Sequence, residues 1–136
     1  MKLCAITLTV AVTTLSAADV VRCPPAIQVR QQLAAPVRGW TASTDAAPIQ
    51  LSGLTFFEGR PEDQASLAPD ERKGIATWTF GSGQSIWVMC HYSGTSVTLT
   101  RQLPPNTSKC EVTYRTNVTI AGLPVIEKID CVISGK

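Results

Sequence analysis

Short runs of strand-forming residues, separated by glycine and proline turns, constrain this chain more than any other feature. Such runs, bounded by turn residues, are typical of antiparallel strands. The pattern predicts an all-β fold, a single small antiparallel barrel or sandwich of about seven to eight strands. The runs lie at residues 27–30, 51–59, 75–80, 85–92, 97–103, 110–120 and 125–133.

The amino-terminal segment indicates export from the cytoplasm. Lys2 precedes the apolar run Leu3–Leu15, and small residues follow as far as Ala18. A run of this length is too short to span a bilayer as a helix, and the pattern is typical of a cleaved secretory signal. We therefore predict a signal peptide over residues 1–18 and one domain over residues 19–136. The location would be periplasmic or secreted, with no membrane insertion.

Removal of the signal peptide would leave four of the five cysteines, namely Cys23, Cys90, Cys110 and Cys131. An even number of cysteines in a small exported domain predicts two disulfides. A zinc site normally uses closely spaced pairs such as Cys-x-x-Cys, and no two of these four are close in sequence. We therefore predict a disulfide-stapled domain with no metal site and no cofactor.

The charges of the chain are few and scattered. Twelve basic residues face ten acidic ones, for a formal net charge of +2. A nucleic-acid-binding surface normally concentrates its basic residues in one patch or stripe. Because no such concentration is present in the sequence, we predict that nucleic acid is not a partner.

Two possible catalytic arrangements can be weighed from the sequence. Cys90 and the single histidine, His91, are neighbours in a predicted strand, so their side chains point to opposite faces and cannot act as nucleophile and base. Acidic residues cluster between Glu58 and Glu71, where glycosidase-type chemistry would need two carboxyl groups. Basic residues interleave with them, which is typical of a solvated loop. We therefore predict that the protein is not an enzyme.

The predicted turns also set a register for the strands after residue 85. A tight turn at Gly94 places Cys90 opposite Leu99. The next two turns would place Leu99 opposite Tyr114, and Tyr114 opposite Cys131. These four side chains would then form one row on one face, and the other face would be polar. The register predicts a four-stranded meander with one solvated side.

The preceding pair of strands suggests a binding surface. Pairing residues 75–80 with 85–92 as a hairpin places Trp78 opposite Trp87, on the face away from Cys90. Both faces of this hairpin would be apolar, so either another segment covers the second face or that face binds a partner. Tryptophan is a favoured anchor at protein interfaces. The predicted contact surface contains Trp78, Trp87, Met89, His91, Glu58, Arg60, Asp63 and Arg72.

Four segments, taken in order, resemble an uncharacterised family of small exported proteobacterial proteins. They are CPPAIQV (23–29), FFEGRPEDQASLAPD (56–70), WVMCHYSGTSVTLTRQLP (87–104) and CEVTY (110–114). The resemblance includes the Cys-Pro-Pro start and a Trp-x-x-Cys-x-Tyr strand. It implies a periplasmic location and a disulfide-bearing domain.

The resemblance also favours the disulfide pairing Cys90–Cys110 with Cys23–Cys131. The predicted register argues against this pairing, because one strand would separate Cys90 from Cys110, beyond the ~7 Å that a disulfide allows between Cα atoms. A curled sheet or a loop folding back at 104–110 would be needed. Peptide mapping that found Cys23–Cys90 with Cys110–Cys131 would overturn the pairing.

More loosely, the size and the all-β pattern are similar to periplasmic lysozyme inhibitors and to immunity proteins that guard against secreted cell-wall toxins. The chain lacks the serine- and tyrosine-containing loop of the membrane-bound lysozyme inhibitors. We predict a soluble periplasmic protein that binds or inhibits another protein, such as a cell-wall hydrolase or a secreted toxin. The alternative is a domain that binds a small ligand or an envelope glycan through the same aromatic residues.

Overall fold

A computed structural model describes residues 21–44 and 47–134. Within these ranges the chain forms nine strands in two antiparallel sheets, with a short 3-10 turn at Pro61–Asp63. The prediction of an all-β fold is confirmed, and the two sheets pack face to face as a sandwich. The predicted signal peptide lies outside the described residues. In the described part of the chain, no helix has the length and apolar character needed to cross a membrane.

The two sheets divide the strands without following chain order. In the first sheet the order is β1-β2-β6-β7, and β3 also pairs with β2. In the second sheet the order is β4-β5-β8-β9. The first sheet contains β1 (Ala26–Ile27), β2 (Ile49–Glu58), β3 (Ser66–Leu67), β6 (Ile86–Tyr92) and β7 (Thr98–Gln102). The second sheet contains β4 (Asp70–Arg72), β5 (Ile75–Thr79), β8 (Thr107–Ile120) and β9 (Leu123–Ile133).

Strict alternation along the strands builds the core between the sheets. Every second residue of β6 is buried, because side chains two residues apart share one face of a strand. Phe56 of β2 is fully buried and joins the two sheets, with its ring centroid 4.9 Å from that of Trp78 and 5.5 Å from that of Phe80. The other inward side chains include Ala76, Ile86, Val88, Cys90, Tyr92, Cys110 and Val112.

The predicted hairpin between residues 75–80 and 85–92 is wrong. Strand β5 pairs with β4 and β8, whereas β6 pairs with β2 and β7, so the connection through Gly81 crosses from one sheet to the other. The physical reason is burial. Both strands carry a fully apolar face, and the sandwich buries these two faces against each other, whereas a flat hairpin would leave one of them in water.

Of the three residue pairings in the predicted meander, only the first, between β6 and β7, is correct. Cys90 lies opposite Leu99, as predicted from the turn at Gly94. Strands β7 and β8, however, belong to different sheets, so Leu99 does not face Tyr114. Tyr114 lies opposite Ile126 instead of Cys131, because the β8–β9 hairpin is longer than predicted and contains bulges.

The favoured disulfide pairing is also wrong, because the disulfides join Cys23 to Cys90 and Cys110 to Cys131, with Cα–Cα distances of 5.8 and 4.1 Å. Cys110 and Cys131 face each other directly on neighbouring strands, so their bond needs no curling of a sheet. Cys23 precedes β1 and lies over the inner face of the first sheet, where Cys90 points. The Tyr92 hydroxyl holds this segment by donating a hydrogen bond to the Pro24 carbonyl at 2.9 Å.

Candidate functional site

The outer face of the first sheet carries an unusual set of side chains for a surface. Trp87, Met89 and His91 alternate with the buried residues of β6, so all three point outward and are half-buried. The strand register then places a residue of β2 and a residue of β7 beside each of them. The three cross-strand rows are Phe57–Trp87–Gln102, Thr55–Met89–Thr100 and Gly53–His91–Thr98. We call this surface the aromatic face, defined by Thr55, Phe57, Trp87, Met89 and His91.

Trp87 is the largest partly exposed side chain of the aromatic face. Phe57 is its cross-strand neighbour on β2 and is only 8 % exposed. The guanidinium carbon of Arg60 lies 5.9 Å from the Trp87 ring centroid, within the range of a cation–π interaction. Tryptophan and arginine are the residue types most enriched among interface hot spots. This corner therefore has the composition of a protein-binding anchor.

His91 forms the opposite end of the aromatic face. Its Nε2 atom lies 2.9 Å from the Thr55 hydroxyl, and the ring tautomer decides which group donates this hydrogen bond. Burial lowers the pKa of His91 below the ordinary value of 6.5, because the charged imidazolium loses hydration at this position. The side chain is therefore neutral at pH 7, and the whole face is uncharged apart from Arg60 at its edge.

The lowered pKa of His91 predicts a pH dependence of stability. The folded state binds this proton less tightly than the unfolded state, so the free energy of unfolding should fall as the pH drops through and below about 6.5. Because His91 is the only histidine, a His91→Gln variant isolates its contribution. We expect urea unfolding between pH 7.5 and pH 5 to show a smaller fall for the variant than for the native protein. If the free energy of unfolding fell equally in the variant and the native protein, the lowered pKa of His91 would be contradicted.

The outer face of the second sheet is different in character. It carries the ion pairs Lys109–Glu111 and Lys128–Asp130, with N–O distances of 3.2 and 2.7 Å. These side chains are well exposed, and surface pairs of this kind contribute little to stability. The outer face of the second sheet thus combines ion pairs with exposed aliphatic side chains such as Ile75 and Val132, whereas the outward row of β6 contains a tryptophan, a methionine and a histidine.

Trp78 must be removed from the predicted contact surface. It points into the core, is 5 % exposed, and packs edge-on against Phe56. Its indole N–H donates a hydrogen bond to the Leu67 carbonyl at 2.9 Å, so the chain after the 3-10 turn covers it. The error follows from the wrong hairpin, since β5 and β6 present their apolar faces to each other and do not share one.

The four predicted charged residues are spread over two regions. Glu58 ends β2, and Arg60 follows it and reaches the Trp87 ring. Asp63 lies in the 3-10 turn that begins directly after Arg60. Arg72 belongs to β4 in the second sheet, so the structure does not place it on a strand of the aromatic face.

Arg72 instead borders a groove of about 540 Å³ between the two sheets. The groove lies between the bulged part of β2 at Gly53 and the turn between β4 and β5. The half-buried Tyr114 lines it, and the pKa of this phenol is raised by burial and, to a lesser degree, by the nearby Glu71 carboxylate. The groove could not be predicted from the sequence, because its walls come from segments far apart in the chain.

Phe57 and Thr55 were also missed as site residues. A signal for Phe57 was present, because Phe56 and Phe57 are adjacent in a strand and must point to opposite faces. One of the two rings therefore had to lie outside the core. Within the described residues, no group of three or more potential metal-ligating side chains is close enough to hold an ion.

A further exposed aromatic residue lies outside the sheets. Trp40 is 80 % exposed and occupies the long segment between β1 and β2. A turn supports it, in which the Trp40 N–H donates a hydrogen bond to the Val37 carbonyl at 3.1 Å. It is a second position at which a partner could find an aromatic anchor.

Comparison with known proteins identifies relatives of the chain. The family model of the type VI secretion system Tli immunity protein matches residues 45–132. The match includes strands β2 to β8 completely and β9 except for its last residue, and it excludes β1. An uncharacterised 16.3 kDa protein of Azospirillum brasilense, described by its position in the trpG 5′ region, is 31 % identical over 113 residues. That alignment covers 74 % of this chain and 75 % of the relative. No solved structure matches the chain.

The aromatic face lies entirely within the matched region, whereas Trp40 precedes it. The loose similarity to immunity proteins noted in the sequence is therefore confirmed at the level of the family. On this evidence the chain belongs to the type VI secretion system Tli immunity protein family.

Proposed function

We propose that this protein protects its cell by binding a secreted toxin in the periplasm and blocking it, with the aromatic face as the contact surface. The observation that carries the proposal is the outward row Trp87, Met89 and His91 on β6, in a family of immunity proteins. A half-buried aromatic surface of this kind can bury much apolar area against a partner at a small cost in side-chain entropy.

The proposed location agrees with the two disulfides. Such bonds form and persist in oxidising compartments and are rare in the cytosol. A signal peptide over residues 1–18, proposed from the sequence alone, would deliver the chain to the periplasm. A toxin that arrives in that compartment would meet the folded, oxidised protein directly.

The arrangement of side chains on the aromatic face is that expected of an interface hot spot. Trp87 lies opposite Phe57 on β2 and within reach of the Arg60 guanidinium, and it is partly buried before any partner binds, so part of its side-chain freedom is already lost in the free protein. The neutral His91 and the threonine hydroxyls of β7 supply hydrogen-bonding groups around it. Such a polar rim around an apolar centre is typical of protein interfaces.

The first experiment is a pull-down with the disulfide-bonded protein as bait against periplasmic and secreted fractions, followed by affinity measurement with the purified partner. Replacing Trp87 with alanine should weaken binding by about thirtyfold or more, as for a hot-spot residue that contributes at least 2 kcal/mol. Trp40→Ala is the matched control, because it removes the same side chain from a different surface.

The outcomes separate the possible surfaces. Loss of affinity with Trp87→Ala and near-native affinity with Trp40→Ala would support the aromatic face. The reverse pattern would assign the contact to the segment between β1 and β2. If no protein is captured and glycan fragments or small molecules raise the melting temperature, the ligand-binding alternative replaces the proposal. Folding of each variant is checked through its circular dichroism spectrum.

A further inference from the structure

Strand β9 forms one edge of the second sheet. It is 11 residues long and pairs with β8 along one side. Among the described residues, no strand pairs with its other side. Unpaired backbone groups on a sheet edge can bind another strand, and charges or bulges along the edge restrict the register and the length of such pairing.

The disulfide geometry shows which backbone groups of β9 face outward. Cys110 and Cys131 are direct cross-strand partners with a Cα–Cα distance of 4.1 Å, which is the closer of the two antiparallel spacings. In such a pair the N–H and C=O groups of both residues point away from the partner strand. The same therefore holds for Ile129, two residues earlier and opposite Val112.

Two hydrogen bonds support this assignment. The Ser134 N–H donates to the Asn106 carbonyl at 2.8 Å, and the Val132 carbonyl accepts a bond from the Ser108 hydroxyl at 3.3 Å. Even-numbered residues at this end of β9 thus direct their backbone groups toward β8. The N–H and C=O groups of Ile129 and Cys131 are left on the open side.

The charges along this edge are self-complementary in one register. If a second copy of β9 ran antiparallel with Ile129 opposite Ile129, Lys128 of each copy would lie opposite Asp130 of the other. Sliding the copy by two residues in either direction would place Lys128 opposite Lys128, or Asp130 opposite Asp130. Opposite charges stabilise a cross-strand pair, and like charges destabilise it.

We propose that the protein forms a twofold-symmetric homodimer by antiparallel pairing of β9 with β9 of a second copy, centred on Ile129. The two Ile129 residues would each donate and accept one backbone hydrogen bond, as the symmetry of such an interface requires. The bulge beside Glu127, where the β8–β9 register shifts, would face Cys131 of the other copy in this register, so regular pairing is limited to Lys128–Asp130 of each copy. The interface is therefore short, and the dimer should form in a concentration-dependent way.

The dimer would leave the proposed toxin-binding surface free. The aromatic face belongs to the first sheet, and β9 is the edge of the second. Each dimer would therefore present two aromatic faces. The dimer does not depend on the proposed function, and each can fail without the other.

The test is sedimentation equilibrium of the disulfide-bonded protein up to a chain concentration of roughly 1 mM, the range of weak association. We expect the average mass to rise toward twice that of the monomer. Lys128→Asp or Asp130→Lys alone places like charges opposite each other at both symmetry-related positions, and each should weaken dimerisation about tenfold. The double variant Lys128→Asp/Asp130→Lys restores opposite charges and should recover the native association.

A second pair of variants tests the backbone. Ile129→Pro removes the outward N–H, and proline is tolerated in an edge strand where its nitrogen faces solvent. Ile129→Ala also truncates the side chain but keeps the N–H, so it should still dimerise where the proline variant is monomeric. A native protein that stays monomeric to roughly 1 mM, or a double charge variant that fails to recover, would overturn the proposal. The charge variants decide the question if the proline variant does not fold.

Discussion

Replacing Phe56 with alanine should lower the free energy of unfolding by about 3–5 kcal/mol, the range for a large aromatic side chain removed from a packed core. Phe56 is fully buried, and its ring contacts both Trp78 and Phe80 across the interface between the sheets. The cavity would open where the two sheets meet, and strands of both sheets would lose contacts. Chemical denaturation followed by tryptophan fluorescence measures the change.

The matched control for this variant is Leu99→Ala. Leu99 is apolar and lies in a strand of the same sheet, but it is 37 % exposed at the edge strand β7. We expect its truncation to cost less than about 1.5 kcal/mol, because much of its surface already faces water. If the two variants lost equal stability, the position of Phe56 at the centre of the core would be wrong.

Removing the Cys23–Cys90 disulfide should destabilise the protein more than removing Cys110–Cys131. The two bonds close loops with sequence separations of 67 and 21 residues. The chain-entropy treatment gives about 4 kcal/mol for the longer loop and about 3 kcal/mol for the shorter one. A double alanine variant of either pair removes the same two sulfur atoms. The difference between the two losses in unfolding free energy therefore measures the effect of loop length. The reverse order would contradict this prediction.

Peptide mapping provides an independent check of the two pairings. Trypsin cleaves after lysine and arginine, and these residues place each of the four cysteines on its own peptide. Without reduction, the peptide 23–30 should be linked to 74–101, and 110–115 to 129–136. A link between 74–101 and 110–115 would restore the pairing that the family resemblance favoured.

Features that depend on neighbouring residues were predictable from the sequence. The strand positions after residue 75 follow from alternation and turn residues, both of which act over a few positions. The pairing of Cys90 with Leu99 was predicted correctly because a tight turn at Gly94 joins their strands and sets the register. The outward direction of Trp87, Met89 and His91 follows from the burial of the residues between them.

Part of the candidate site could also be predicted from the sequence. Arg60 and Trp87 were both predicted to lie on the contact surface, but their cation–π contact depends on how the chain turns after Glu58. The groove beside Tyr114 was not predictable, since it forms only where β2 meets strands of the other sheet. The alternation in a strand's sequence fixes which side chains point to the same face, whereas the residues that lie opposite them depend on the tertiary structure.

The sequence by itself determined an all-β domain, the positions of most strands, and the alternation that separates inward from outward side chains. Only the tertiary structure decided which strands share a sheet, and therefore the disulfide pairing and the burial of Trp78. The short connection at Gly81 is compatible with a hairpin or with a crossing between sheets. The choice depends on burying the apolar faces of β5 and β6 at the same time, and that requirement involves residues throughout the chain.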